Sequence, residues 1–223
     1  VRNRGIMLYI VATPIGNLGD ITFRAIEVLK TVDLIACEDT RHTKILLQRY
    51  GIETPTTSFY QHNRITKAQY LLKLLKEGKS IALVSDAGMP GILDPGYNII
   101  NLALDNSVEI TVIPGPTAFI NALVLSGKPA HKFIFEGFLP NRQLARRNRL
   151  KELAKLKCTI VCYESCHRIQ AALEDIDAVF PDKDIVVARE LTKKFEEIKR
   201  GKASVIIADF QKARPRGEFV VVI

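Results

Sequence analysis

The sequence contains no tryptophan and only four cysteines among its 223 residues. So few cysteines, together with the lack of a secretory signal pattern, predict a reduced, cytoplasmic setting. The sequence also lacks low-complexity tracts and any repeat period typical of a solenoid. Its hydrophobic fraction of 47% is sufficient for one large core or for two cores of about a hundred residues each, and we expect two.

The cysteines do not have the spacing of a metal site. Three residues separate Cys158 from Cys162, and three more separate Cys162 from Cys166. Within a strand the first pair would be about 13 Å apart, which is too far for one metal ion, and zinc sites use tighter spacings. We therefore predict no metal site.

One uncharged run of 18 residues, 110–127, nominally reaches the length of a membrane span. Its middle is interrupted by Pro114, Gly115, Pro116 and Asn121. We therefore predict a buried strand, a turn and a buried helix, with no contact to a membrane.

The positive charge is concentrated in the second half of the chain. The formal net charge is +8; residues 1–115 carry 12 Lys and Arg against 11 Asp and Glu, whereas residues 116–223 carry 20 against 13. A basic half beside a near-neutral half predicts that one domain binds a polyanion. A generally basic surface that maintains solubility is the alternative explanation.

Strand-like and helix-like segments alternate along the first half, with Asp20 or Thr22 as the cap of the first helix. This alternation predicts right-handed βαβ units, a mainly parallel sheet and one α/β domain over residues 7–115. Residues 116–223 repeat the alternation less regularly and are predicted to form a second, basic α/β domain. The sequence ends on an apolar strand pattern at 218–223, and we expect further chain to follow it. The strand patterns of the first half are residues 7–12, 33–37, 57–60, 81–84 and 108–113.

The fourth strand pattern leads into a loop rich in glycine and proline, residues 85–96. Gly88, Gly91 and Gly96 permit positive φ values and the close approach of a ligand. In an open α/β sheet, ligands bind at the carboxyl edge of the strands, where this loop is expected. An ordinary strand-to-helix loop fits the spacing equally well. The first loop, residues 13–20, lacks both a dinucleotide-binding fingerprint and the lysine of a P-loop.

Eight short motifs occur in order between Met7 and Ile223. They are residues 8–22, Glu38-Asp-Thr-Arg41, Ser85-Asp-Ala-Gly-Met-Pro-Gly91, Ile113-Pro-Gly-Pro-Thr-Ala-Phe119, Gly137-Phe-Leu-Pro140, Tyr163-Glu-Ser-Cys-His-Arg-Ile169, Ala188-Arg-Glu-Leu-Thr-Lys193 and Gly217-Glu-Phe219. With these motifs the chain resembles the tetrapyrrole methylase superfamily of S-adenosylmethionine methyltransferases. It is most similar to their RsmI-type branch, which methylates the 2′-oxygen of a cytidine in ribosomal small-subunit RNA.

The resemblance implies a fold of two α/β domains with the cofactor cleft between them, and a homodimer. It implies S-adenosylmethionine as the cofactor. The implied partner is small-subunit (16S) rRNA or the assembled small ribosomal subunit. By their places in the motifs, the implied cofactor-binding residues are Ile15, Asp86, Gly88, Met89, Thr117 and Ala118 in the first half and Tyr163, Leu191 and Gly217 in the second.

A ribose hydroxyl is a poor nucleophile at neutral pH, so a base, or a cation that lowers the pKa of the hydroxyl, is expected to assist methyl transfer. Our hypothesis assigns Asp39 or Glu190 as the base or as an orienting group. Arg41 and Arg189 would hold a phosphate or stabilise the oxyanion, and Lys193 would assist. For the Glu-Asp-Thr-Arg motif, a purely structural role in capping a helix and pairing internally is the alternative.

The densest basic stretch, at about residues 142–157, predicts a helix that binds RNA phosphates with steep salt dependence. A solvated helix face is the alternative. Two other functions stay open: a corrin- or porphyrin-precursor methyltransferase of the same fold, and a non-catalytic RNA-binding protein of ribosome assembly. The residues assigned to RNA binding are Arg142, Arg146, Arg147 and Arg149.

Overall fold

A computed structural model describes residues 7–212 and 215–223 of the chain. Contacts divide the chain into two compact units, with the boundary between Thr117 and Ala118. We call these parts the N-terminal unit and the C-terminal unit.

The N-terminal unit contains a five-stranded sheet in the order β3-β2-β4-β1-β5. Every neighbouring pair in this sheet is parallel, so the carboxyl ends of all five strands lie at the same edge. The loops that leave this edge come after β1, β2, β3, β4 and β5, as the alternating pattern predicts. The elements are β1 (Met7–Val11), α1 (Phe23–Thr31), β2 (Leu34–Cys37), α2 (Thr40–Arg49), β3 (Thr56–Ser58), α3 (Arg64–Lys76), β4 (Ile81–Leu83), α4 (Gly96–Asp105) and β5 (Glu109–Ile113).

Apolar side chains are buried on both faces of this sheet. Leu8 and Ile10 of β1 belong to a cluster with buried residues of α3 and α4, whereas Val11 belongs to a cluster with buried residues of α1 and α2. This alternation follows from the opposite directions of successive side chains in a strand. The helices therefore cover both faces and leave the strand edges for the loops.

Local capping explains where two of these helices begin. The Thr22 hydroxyl accepts a hydrogen bond from the Ala25 N–H at 3.1 Å, which confirms one of the two predicted caps of α1. Helix α2 begins at Thr40, because the Asp39 side chain caps it by accepting from the Arg41 N–H at 2.8 Å. The polar motif after β2 is thus partly helical.

The C-terminal unit contains a second five-stranded sheet, in the order β6-β7-β10-β8-β9. Strand β6 is parallel to β7, whereas β10 is antiparallel to both β7 and β8, and β9 is antiparallel to β8. The carboxyl ends of β6, β7 and β8 therefore lie at the edge where β10 begins. The elements are α5 (Ala118–Ser126), β6 (Phe133–Phe138), α6 (Gln143–Ala154), β7 (Thr159–Ser165), α7 (Ile169–Val179), β8 (Asp184–Arg189), β9 (Glu197–Lys202), α8 (Ala203–Lys212) and β10 (Glu218–Val222).

The core of the C-terminal unit lies where α6, α7 and α8 pack on one face of its sheet. Leu150, Leu173 and Phe210 from the helices meet Cys162 and Phe219 from the strands in this cluster. Two five-stranded sheets with packed helices confirm the predicted α/β class. Within the described ranges, no helix combines the length and the apolar content required to cross a bilayer.

Candidate functional site

In the N-terminal unit, the loop after β1 is bonded to the glycine-rich loop after β4. The Thr13 N–H donates to the Gly88 carbonyl at 2.9 Å, and the Gly88 N–H donates to the Thr13 carbonyl at 3.0 Å. The Thr13 hydroxyl also donates to the Ser85 carbonyl at 3.0 Å. These buried hydrogen bonds hold the two loops in one arrangement, because a buried polar group is costly when it loses its partner.

The loop after β5 approaches the same place. A Cβ atom added to Gly115 would lie 3.0 Å from the Ala12 Cβ, and one added to Gly88 would lie 3.5 Å from Ile15 Cγ2 and 3.7 Å from the Pro116 carbonyl oxygen. Small residues therefore allow the three loops to meet. The structure places the predicted residues Ile15, Asp86, Gly88, Met89 and Thr117 on these three neighbouring loops, with Ala118 next in the chain.

The glycines of the loop after β4 are required for two different reasons, backbone conformation and space. Gly88 and Gly91 have positive φ values of 81° and 90°, as predicted. Gly96 instead begins α4 and is required for space, because an added Cβ would lie 2.7 Å from Asp94 Oδ1. Asp94, which was not among the predicted site residues, accepts from the Gly91 N–H at 2.8 Å and the Gly96 N–H at 2.7 Å. Burial raises the pKa of Asp94, although these two hydrogen bonds oppose the shift.

The loop after β2 joins the glycine-rich loop through Asp86. The Asp39 N–H donates to Asp86 Oδ1 at 3.1 Å, and His42 Nδ1 lies 3.8 Å from the same oxygen. The Asp39 carboxylate itself is paired with Arg41, whose guanidinium donates to it at 2.7 and 3.1 Å. Hydrogen bonds from the Arg41 side chain, and then from its backbone, hold the pKa of Asp39 well below its usual range.

Glu38 was not among the predicted site residues, yet it lines a small pocket at this edge of the sheet. Burial, and then the negative charges of Asp86 and Asp94, raise the pKa of Glu38. The sequence gives no signal that distinguishes Glu38 from Asp39, because the two carboxylates are adjacent. The other residues that line the pocket are Phe59, Leu83, Val84, Ser85, Pro90, Asp94, Pro95 and Gly96.

In the C-terminal unit, the loop after β8 carries the predicted residues Arg189, Glu190, Leu191 and Lys193. Lys193 Nζ lies 2.9 Å from Glu190 Oε1 and 2.9 Å from an oxygen of Glu218. Burial acts to raise the pKa of Glu190, but hydrogen bonds from Lys193 and from the Glu218 N–H outweigh it and lower the pKa. Leu191 is buried, whereas Arg189 donates through Nε to the Arg216 carbonyl at 2.6 Å.

This loop has an uncommon backbone conformation. Glu190 and Thr192 have positive φ values of 49° and 67°, which non-glycine residues seldom adopt. Gly217 faces them with a φ of 96°, and an added Cβ would lie 2.5 Å from the Glu190 Cγ. Such conformations persist where surrounding contacts enforce them, and they are common at functional sites.

Tyr163 of β7 lies in a group of aromatic rings in the same unit. Its ring centroid is 5.0 Å from that of Phe135 and 5.8 Å from that of Phe138, both edge to face. Phe119 stacks on Phe135 at 4.1 Å. Burial raises the pKa of Tyr163, although a hydrogen bond to the Phe119 backbone opposes the shift. The Tyr163 ring is therefore held by packing.

One arginine of the predicted phosphate-binding strip, Arg146, is not accessible. Arg146 is buried, and its charge is compensated by an ion pair with Asp175 of α7. It also donates to the Pro140 and Asn141 carbonyls at 3.3 and 3.0 Å. A guanidinium in this position is structural and is not accessible to a phosphate. Arg147 also pairs with Asp175.

The other three arginines of the predicted strip are nearer the surface, and the side chains of Arg147 and Arg149 are each 41% exposed. Arg149 is paired with Glu136 at 2.6 Å and with Glu152 at 2.9 Å. Arg142, at the start of α6, is exposed. The accessible basic residues of α6 and its two caps are therefore Arg142, Arg147, Arg149, Lys151 and Lys155, for which RNA binding stays a prediction.

Comparison with known proteins identifies the family. The sequence profile described as Tetrapyrrole (Corrin/Porphyrin) Methylases matches residues 7–206. A protein of Thermotoga maritima, "Ribosomal RNA small subunit methyltransferase I", is 49% identical over 216 residues, which is 97% of this chain and 97% of that protein. The chain belongs to the ribosomal RNA small subunit methyltransferase I family. It is therefore a methyltransferase and uses a methyl donor.

Solved structures show the same fold at low sequence identity. Diphthine synthase has a TM-score of 0.75 at 15% identity, with coverage of 97% of this chain and 88% of that one. The cobalamin biosynthetic enzyme cobalt precorrin-4 methyltransferase has a TM-score of 0.73 at 19% identity, with coverage of 97% and 94%. These likenesses place the chain in the tetrapyrrole methylase fold.

Proposed function

We propose that the chain transfers a methyl group from S-adenosylmethionine to the 2′-hydroxyl of a cytidine in small-subunit (16S) rRNA. The identity of 49% over nearly the full length of a protein named as a ribosomal small-subunit methyltransferase carries the proposal. The assignment of cytidine as the methylated nucleotide, and of its 2′-oxygen as the acceptor, rests on the resemblance of the sequence motifs to the RsmI-type branch. The same resemblance supports a homodimer that acts in the cytoplasm.

The loops of the N-terminal unit fit the proposed cofactor. S-adenosylmethionine supplies an electrophilic methyl group when it is bound. Ile15 and the half-buried Met89 provide apolar contacts suited to an adenine ring. Asp86 keeps 35% of its side chain exposed, so its carboxylate is accessible to hydroxyl or ammonium groups. Gly88, Thr117 and Ala118 supply the backbone that approaches the ligand, and we assign Tyr163, Leu191 and Gly217 as further contacts.

The ion pairs of Asp39 with Arg41 and of Glu190 with Lys193 support a role for these carboxylates in positioning the substrate. Asp39 and Glu190 are each paired with a cation that lowers the pKa of the carboxyl, which suits an orienting group better than a proton acceptor. Arg41 is 90% exposed beyond its contact with Asp39 and is suited to holding a phosphate. Arg189 and Lys193 place two positive charges at the edge of the C-terminal sheet, where we assign them to the RNA.

The first experiment measures transfer of labelled methyl from S-adenosylmethionine to purified small ribosomal subunits, to protein-free rRNA and to a tetrapyrrole precursor. Nuclease digestion and mass spectrometry then identify the labelled product. A 2′-O-methylcytidine supports the proposal and shows whether the subunit or free rRNA is preferred. Label in the tetrapyrrole alone would show that the substrate is a corrin or porphyrin precursor, as in the family description, and not rRNA. Absence of label, despite binding of S-adenosylmethionine, would overturn the proposal.

A further inference from the structure

The two carboxylates assigned from the sequence as a base are both engaged. Asp39 accepts two hydrogen bonds from the Arg41 guanidinium, and Glu190 Oε1 accepts from both Lys193 Nζ and the Glu218 N–H. A carboxylate held by such donors is a weak proton acceptor. Neither residue therefore has the environment of a general base.

Glu38 differs from both in its contacts. Within residues 7–212 and 215–223, its carboxylate forms no hydrogen bond and no ion pair. It follows β2 directly and lines the pocket that Ser85 and Asp94 also border. Glu38 is also exposed, so its carboxylate is accessible to a ligand at this edge of the sheet.

The pocket is adjacent to the residues that we assign to the cofactor. Strands β2 and β4 are neighbours, and the Val84 N–H donates to the Ala36 carbonyl at 2.9 Å just before their loops diverge. The residue after Glu38 donates its N–H to Asp86 at 3.1 Å. Glu38 is therefore adjacent in the chain to a residue that is hydrogen-bonded to Asp86, and this bond holds Glu38 close to the glycine-rich loop.

We propose that Glu38 is the general base, which accepts the proton of the ribose hydroxyl that is methylated. The inference rests on the proposed function. The ribose oxygen forms its new bond to the methyl carbon as the bond between that carbon and sulfur breaks. The sulfur keeps the electron pair of the broken bond, and the proton of the hydroxyl moves to an Oε atom of Glu38. Charge and atoms balance without a metal ion or a further reactant.

The surroundings of Glu38 suit this role. Asp86 and Asp94 face it with negative charge, while Arg41 is paired with Asp39 and His42 lies beside Asp86. Although Glu38 is exposed overall, local desolvation and the two carboxylates raise its pKa, which brings it closer to the working pH, where a general base is most effective. Because the ionised form is the active one, the rate should rise with pH through this pKa and be constant above it.

The test compares the wild type with Glu38→Gln, Glu38→Asp and a control, Glu53→Gln. Glu53 is an exposed carboxylate of the same unit, in the loop that enters β3 at the opposite edge of the sheet. For Glu38→Gln we expect kcat on small ribosomal subunits to fall by about 100-fold or more, with loss of the acidic limb of the pH profile. Glu38→Asp should retain part of the activity, and Glu53→Gln should retain the full rate and profile.

Two readouts are independent of turnover. The affinity for S-adenosylmethionine and the thermal unfolding midpoint of Glu38→Gln should match those of the wild type. In protein with ¹³C-labelled glutamate, the carboxyl resonance that Glu38→Gln lacks should titrate above the usual range of glutamate. An active wild type with an unaffected Glu38→Gln variant would overturn the role of Glu38 alone. A wild type that methylates no RNA would overturn the proposed function and this role together.

Discussion

Arg146 donates a hydrogen bond from Nε to Asp175 Oδ2 at 2.7 Å, and both side chains are buried. Arg146 also donates to the carbonyls of Pro140 and Asn141, so the ion pair connects α6, α7 and the loop after β6. Arg168 donates to the Leu139 carbonyl of the same loop at 2.6 Å. The guanidinium of the buried Arg146 and that of Arg168, whose side chain is 27% exposed, therefore bind carbonyls of the Gly-Phe-Leu-Pro motif and fix its conformation.

Removal of the Asp175 charge should strongly destabilise the chain. Asp175→Asn leaves Arg146 buried without its counterion, and breaking a buried pair in this way costs about 3–5 kcal/mol in the free energy of unfolding. Urea denaturation followed by circular dichroism measures the change. The control is Glu174→Gln, an exposed residue next to it on α7. Equal losses in the two variants would contradict a structural role for the pair.

The basic face of α6 should bind RNA through its lysines. Lys151 and Lys155 are exposed one helical turn apart. We expect Lys151→Glu/Lys155→Glu to weaken rRNA binding and to reduce the slope of log affinity against log salt by about 0.7–0.9 for each lost phosphate contact. Filter binding over a salt series measures this slope.

The matched control for the α6 lysines is Arg24→Glu/Lys30→Glu, which makes the same charge change on exposed positions of α1. A loss of affinity in the control equal to that in the α6 variant would show that net charge, rather than this helix, determines binding. The α6 variant should bind S-adenosylmethionine as the wild type does, because neither lysine lies among the residues assigned to the cofactor.

The sequence predicted the N-terminal unit well because buried parallel strands and amphipathic helices have distinct periodicities. Strand β9 was missed, since its sequence Glu-Ile-Lys-Arg-Gly-Lys is charged, as is common for an edge strand. The burial of Arg146 could not be foreseen, because its partner Asp175 lies 29 residues away in the sequence. The contrast between Glu38 and Asp39 also depends on structure, because Asp39 caps α2 and pairs with Arg41 whereas Glu38 does neither.

Gly217 should be irreplaceable because of its contact with Glu190 as well as its backbone angle. In Gly217→Ala the new methyl group would lie 2.5–2.6 Å from the Glu190 side chain, so the pairing of Glu190 with Lys193 must change. Gly201→Ala is the matched control, because Gly201 also has a positive φ, of 137°, but an added Cβ there meets no atom within 4 Å. The positive φ alone costs about 1–3 kcal/mol in each variant.

We expect Gly217→Ala to lose more stability than Gly201→Ala, and to lose methyl transfer activity that Gly201→Ala retains. Thermal unfolding and initial rates on small ribosomal subunits measure the two effects. Equal stability and equal activity in the two variants would show that the Glu190 contact has no structural or functional consequence.

Cys162 should make stability depend on pH in alkaline solution. Burial, and then the negative charges of Glu164 and Glu136, raise the pKa of its thiol to about 12 from a usual value of 9.0. Between these two values the unfolded chain loses the proton while the folded chain keeps it, so the folded state becomes less stable as pH rises. The stabilisation is complete below pH 9 and should decrease by about 1.4 kcal/mol for each pH unit above it.

The effect of Cys162 is isolated by comparing unfolding free energies at pH 8 and pH 10 for the wild type, Cys162→Ala and Val161→Ala. Val161 is the preceding residue of β7 and is equally buried, so its replacement removes packing without removing a titrating group. Cys162→Ala should lose less stability between the two pH values than the wild type by about 1.4 kcal/mol, whereas Val161→Ala should follow the wild type. An identical pH dependence in all three proteins would show that the Cys162 thiol ionises in the folded chain as readily as in the unfolded one.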